Sequence, residues 1–84
     1  MTVETNYVVF PEGDTQEIPG RLSIDQIVDH NGYPLPLPLS SARIIAFRVV
    51  KIRHTETRGM LDILHYLELI PAYELMGYVG NVNR

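Results

Sequence analysis

Arg43-Ile44-Ile45-Ala46-Phe47-Arg48-Val49-Val50-Lys51-Ile52-Arg53-His54, followed after Thr55-Glu56-Thr57-Arg58-Gly59 by Met60-Leu61-Asp62-Ile63-Leu64-His65-Tyr66-Leu67-Glu68-Leu69-Ile70, is the stretch that decides the fold. Residues 43–54 are rich in β-branched side chains and free of Gly and Pro, so they predict a strand. Strict alternation breaks midway, since Ile45, Phe47 and Val49 share one parity while Val50, Ile52 and His54 share the other. One extra residue at Val49-Val50, a β-bulge, reconciles the two halves. The expected core face is then Ile45, Phe47, Val50 and Ile52, with Arg48, Lys51 and Arg53 outside. In residues 60–70, Leu61, Ile63, Leu67 and Leu69 alternate with Asp62, Tyr66 and Glu68. Leucine also favours helix, but a long β-branched strand needs a partner and this segment is the nearest one. The hairpin expected from the pair sets Arg53 opposite Asp62 and Ile52 opposite Ile63, with 55–59 as a polar loop.

The flanks supply less regular signals. Residues 5–10 (Thr5-Asn6-Tyr7-Val8-Val9-Phe10) read as a strand closed by the turn Pro11-Glu12-Gly13-Asp14. Ser23-Ile24-Asp25-Gln26 fits a capping box, and Ile24, Ile27 and Val28 follow three-and-four spacing. That favours a short helix at 23–30 over the rival reading, a hairpin about Asn31-Gly32 joining 22–30 to 33–39. In Tyr33-Pro34-Leu35-Pro36-Leu37-Pro38-Leu39, proline at every second position removes the donors from one edge of an extended chain, leaving the leucines to pair on the other. It reads as an edge strand over 34–39. Pro71 suits the start of a helix at 71–78, ended by Gly77 or Gly80, with 80–84 frayed. The expected fold is thus one β-rich α+β domain over 1–84. It has a small antiparallel sheet of three to four strands (5–10, 34–39, 43–54, 60–70) and two short helices (23–30, 71–78).

Composition narrows the function classes. A chain of 84 residues builds one modest core, and the absence of cysteine excludes disulfides, thiolate chemistry and cysteine zinc sites. With 45% hydrophobic and 20% charged residues the profile is globular rather than disordered. No apolar run approaches the length of a membrane helix, and the first residues lack the basic start of a signal peptide. These features lead to the expectation of a soluble, cytoplasmic protein.

The net charge of −3 hides an asymmetry. Arg21 stands alone against six acids before residue 43, whereas Arg43, Arg48, Lys51, Arg53 and Arg58 face only Glu56 in 43–58. Such a block can bind an anion, and same-face strand residues nearly 7 Å apart could meet successive phosphates. These five residues, with Tyr66 as the nearby aromatic, are the candidate binding residues. The overall acidity, pI about 5.4, and the scarcity of stacking aromatics argue against nucleic acid. A solvated, partly ion-paired outer face is the plainer reading.

Catalytic signals are few. Phosphate-cradling glycine motifs, HExxH and GxSxG do not occur, and Ser40-Ser41 reads as a turn. Asp62-x-x-His65-x-x-Glu68 would line one side of a helix as metal ligands, but on a strand His65 points away from both acids. With a strand predicted, His65 is a hydrogen-bonded histidine of the apolar face, and no catalytic, cofactor or metal residue is assigned. The apolar and aromatic surplus of 33–39 and 66–79 favours a protein partner. The sequence therefore predicts a non-catalytic protein-interaction module without a cofactor, with an unknown protein or a second copy (a homodimer) as partner. The alternative is nucleic-acid or other anion binding by 43–58.

Overall fold

The hairpin of residues 47–69 is the spine of the molecule. In the computed structural model, which describes residues 2–80, β4 (Phe47–Thr57) and β5 (Met60–Leu69) pair antiparallel along their whole length. The register slips between Val49 and Lys51, so Val50 is the extra residue of a β-bulge. The bulge falls where alternation breaks but turns the other residue inward. Val49 is fully buried and Val50 is 44% exposed, while Ile45, ahead of the strand, is 60% exposed. The inner face of β4 is therefore Phe47, Val49 and Ile52.

The expected register is also corrected. Ile52 lies opposite His65 and Arg53 opposite Leu64, and Asp62 pairs with Thr55. The cause is the turn. Thr55, Glu56 and Thr57 continue the strand, and the reversal is left to Arg58 and Gly59, whose φ values of 46° and 79° are those of a tight two-residue hairpin turn.

The sheet around this hairpin is mixed, not antiparallel. β1 (Val3–Val9) runs parallel to β5 from Val3 beside Met60 to Val9 beside Tyr66. β2 (Thr15–Ile18) adds antiparallel to β1, and the two-residue β3 (Ile27–Val28) adds to the start of β4. The order β2-β1-β5-β4-β3 gives a five-stranded mixed sheet curled into a half-barrel, and this replaces the small antiparallel sheet with two helices.

Residues 23–30 are not a helix. Half of the capping box forms, with the Ser23 N–H donating to Gln26 Oε1 at 2.9 Å, but it stabilises a turn in which Asp25 takes φ 71°. Ile27 and Val28 then pair with β4, since a buried strand edge needs its backbone groups bonded. Asp29 to Tyr33 is a three-residue hairpin loop: Asp29 N–H donates to Tyr33 O (2.9 Å) and Gly32 N–H to Asp29 O (3.0 Å). Gly32 has φ 84°, and a Cβ there would sit 2.9 Å from Val8 Cγ2. The rival hairpin about Asn31-Gly32 was thus the better reading of that turn.

Residues 34–39 form no continuous strand either. Leu35 N–H donates to Ile27 O and Leu39 N–H to Tyr78 O, but Leu37 stands exposed at a bend. The leucines find two different partners rather than one neighbouring strand. At the C-terminal end, Ala72–Leu75 make one turn of α-helix (α1) that tightens into a 3-10 turn, Met76–Tyr78. Of residues 80–84, read as frayed, Gly80 is held by its N–H donating to Leu39 O at 3.2 Å, and 81–84 lie outside the described residues.

Two apolar clusters hold these parts together. Val8, Phe10, Ile18, Leu22, Val28, Phe47, Val49 and Leu67 fill the inner face, where the Phe10 and Phe47 rings meet edge-on at 5.1 Å. Gln16 Nε2 donates to Asn31 O at 2.6 Å, tying β2 across to the loop after β3. A second cluster of Ile27, Leu39, Ala46, Ile70 and Leu75 lies under α1, on the side of the sheet that Ile27 shares with its partner Arg48. The molecule extends 54 × 24 × 17 Å, and its radius of gyration of 14.5 Å exceeds the roughly 12 Å of a compact chain this long. The excess comes from the far half of the hairpin, where residues 53–58 are all exposed. No helix among the described residues is long and apolar enough to cross a membrane.

Candidate interaction face

Parity along the strands sorts the sheet into two unlike faces. The inner one takes Asn6 and Val8 from β1, Ile63, His65 and Leu67 from β5, and Val49 and Ile52 from β4. His65 is fully buried there. Its Nδ1–H donates to Tyr7 O at 2.8 Å and its Nε2 accepts from Leu22 N–H at 3.0 Å. A carbonyl on one side and an amide on the other fix the tautomer and engage both ring nitrogens with backbone. Toward the rim, Arg21 forks onto Glu4 at 2.9 and 2.7 Å, and Asn6 Nδ2 donates to the same carboxylate at 3.1 Å. These hydrogen bonds, that from Arg21 foremost, hold the Glu4 carboxyl down at about 2.

The outer face is built in rows across three strands. Val9, Tyr66 and Lys51 form one row, and Tyr7, Leu64 and Arg53 the next. Tyr7, Val9, Leu64 and Tyr66 are half-buried by their neighbours, whereas Lys51 and Arg53 project into solvent. The Lys51 ammonium stands 5.7 Å from the centre of the Tyr66 ring, within cation–π range. The result is an apolar and aromatic strip bordered along β4 by two cations. Neither cation has an ion-pair partner among the described residues, where the ion pairs are those of Arg21 and Arg48.

Arg48 plays a different part. Its guanidinium binds Glu68 across the hairpin and Glu74 of α1, and reaches the Tyr78 hydroxyl at 3.4 Å. The paired carboxylates drive its pKa up from an already high value. With its side chain only 17% exposed, Arg48 clamps α1 onto one end of the outer face and leaves the other end uncovered.

Of the six residues singled out from sequence, the structure brings Lys51, Arg53 and Tyr66 together and commits Arg48 to the clamp. Arg43 lies in the bend before β4, its N–H donating to Ser41 Oγ at 2.9 Å, and Arg58 occupies the hairpin turn beyond the far end. The whole of β4, 11 residues and so roughly 35 Å long at about 3.3 Å per residue, lies between those two, so no single compact ligand meets the whole basic stretch. Tyr7, Val9 and Leu64 escaped notice, because their place depends on β1 lying beside β5. The trace of Tyr7 and Val9 in the sequence is the alternation of Thr5, Tyr7 and Val9 against Asn6, Val8 and Phe10, and that of Leu64 is the parity it shares with Asp62, Tyr66 and Glu68. The acids Asp62 and Glu68 lie on the outer face and His65 on the inner, so that triplet does not converge. Among the described residues no group of three or more His, Asp or Glu side chains is placed to hold a metal ion.

One protein family matches the sequence: its model, described as an uncharacterised Treponema protein, aligns with residues 2–78. The chain belongs to that family. The match spans all five strands and α1, so the whole two-faced sheet of this Treponema family member lies within the shared region. Neither a curated protein nor a solved structure matches the chain.

Proposed function

We propose that this Treponema family member is a non-catalytic association module that binds a protein segment on the open part of its outer face. The observation that carries this reading is the strip of Tyr7, Val9, Leu64 and Tyr66, left uncovered by α1 and bordered by the unpaired Lys51 and Arg53. Half-exposed aromatic and aliphatic side chains beside cations suit a segment that offers apolar residues and carboxylates. The engaged ring nitrogens of His65 support a structural rather than a catalytic role for that buried imidazole. A cytoplasmic location, expected from the sequence, belongs to this proposal as well.

The test is a peptide selection from a randomised display library, followed by titration of the selected peptide into isotopically labelled protein. Amide shifts confined to β1, β5 and β4 beyond the bulge are expected, together with loss of binding in the Tyr66→Ser/Arg53→Ser double variant. Shifts confined to the inner face or to α1, or binding indifferent to that variant, contradict the reading.

One observation favours a second occupant: Lys51 and Arg53 stand in the same rows as Tyr66 and Tyr7, as a single-stranded nucleic acid would use them for phosphate and stacking contacts. The acidic overall charge opposes it. A salt-sensitive shift with oligonucleotides that Arg53→Ala weakens would favour this occupant, and no shift at low salt would end it.

A further inference from the structure

The far half of β4 has a partner on one side only. β3 and the chain before it bond the other edge only as far as Val49, through Asp25 N–H to Val49 O at 2.8 Å and Val49 N–H to Gln26 O at 3.0 Å. Beyond the bulge no strand among the described residues lies on that edge. The two-residue turn fixes which backbone groups are free. Thr57 and Met60 flank it as a hydrogen-bonded pair, so Thr57, Thr55, Arg53 and Lys51 direct their N–H and C=O groups to β5. Ile52, His54 and Glu56 direct theirs outward, an unsatisfied template for another strand.

We propose that a second copy of this chain occupies this edge, joining β4 to β4 antiparallel about a two-fold axis at Thr55. The proposal deepens the association reading by naming a second copy as one partner, and it uses the edge of the sheet rather than its face. Two-fold pairing keeps inner residues beside inner residues, so only registers that match like parity are allowed. With the axis at Thr55, His54 of each copy stands opposite Glu56 of the other as a hydrogen-bonded pair, and imidazole meets carboxylate twice. Thr55 meets Thr55 as the close, non-hydrogen-bonded pair between them. Centring on His54 sets His54 against itself and drives each hairpin tip toward the Asp25-Gln26 segment that occupies the edge at Val49. Centring on Arg53 sets arginine against arginine and lengthens that collision. The axis at Thr55 pairs residues 52–58 of each copy and lets the tips clear. The two outer faces then merge into one, carrying Lys51 and Arg53 from both copies.

Sedimentation velocity over a dilution series, with a single-cysteine trap, tests the geometry. The chain has no cysteine of its own. In the proposed register the Thr55→Cys sulfurs approach across Cα atoms about 4.5 Å apart, so oxidation should give a covalent dimer. Glu12→Cys, in the β1–β2 turn, should not. His54→Glu should weaken the dimer about tenfold by facing like charges twice, and adding Glu56→His should restore it. His54→Pro removes an outward donor that the monomer does not use and should abolish pairing. If proline disturbs the fold, the charge swap alone still decides. A wild-type protein that stays monomeric up to millimolar concentration overturns the proposal. So does a dimer indifferent to His54→Glu, or one trapped by Glu12→Cys and not by Thr55→Cys. Peptide binding at the outer face is measured separately on the His54→Glu variant: binding there, alongside a wild type that never dimerises, overturns this proposal alone, and no peptide binding to either protein overturns the face reading.

Discussion

Gly32 shows how one residue can hold the half-barrel closed. It combines a φ of 84° with side-chain atoms of Val8 and Ile18 2.9 and 3.0 Å from any added Cβ. Gly32→Ala would then carry backbone strain and overpacking together, an expected loss of about 2–4 kcal/mol in denaturant unfolding. A loss below half a kcal/mol would mean that the loop does not pack on β1 and β2. Glu4 makes a prediction about acid. Its folded pKa of about 2 lies below the ordinary 4.5, so its contribution to stability is complete above the ordinary value and is lost as pH falls toward 2. Glu4→Gln should flatten the stability profile across that window, as read by thermal unfolding at a series of pH values. An unchanged profile would mean that the Arg21 pairing does not persist in solution. Neither role was legible in the sequence, where Gly32 is half of a turn signal and Glu4 and Arg21 lie seventeen positions apart.

Among the elements, the strand most legible in advance was β4, since β-branched side chains and a break in parity are local signals that tertiary context did not override. What escaped was which side of the break turns inward, because alternation alone does not choose between Val49 and Val50. The register moved because Thr55, Glu56 and Thr57 resemble a loop in polarity although their backbones are paired. Residues 23–30 misled for a related reason: the hydrogen bond of a capping box can form in a turn, and Ile27 and Val28 serve a strand edge as well as a helix face. Arg48 is an element-scale part, joining α1 to the hairpin. Arg48→Ala should cost about 1.5–3 kcal/mol and loosen α1, whereas Lys51→Ala and Arg53→Ala should stay within about 0.5 kcal/mol of wild type. Chemical denaturation of the three variants checks this, and equal effects would contradict the division between a clamp and two free cations.

At the scale of the whole molecule, the parallel pairing of β1 with β5 creates the candidate site, and it leaves no local mark in the sequence. Once β1 lies there, Tyr7 and Val9 join Leu64 and Tyr66, and the three basic residues of β4 divide between a structural clamp and an open border. The basic stretch was visible in composition, but its division depends on where α1 comes to rest. The account therefore rests on two sheet faces of opposite accessibility. Exposing the labelled protein to a neutral, soluble paramagnetic chelate and recording the broadening of each side-chain methyl signal tests this most directly. The methyls of Val9 and Leu64 should broaden strongly while those of Val8, Ile63 and Leu67 are spared; equal protection of both sets, or the reverse order, would contradict it.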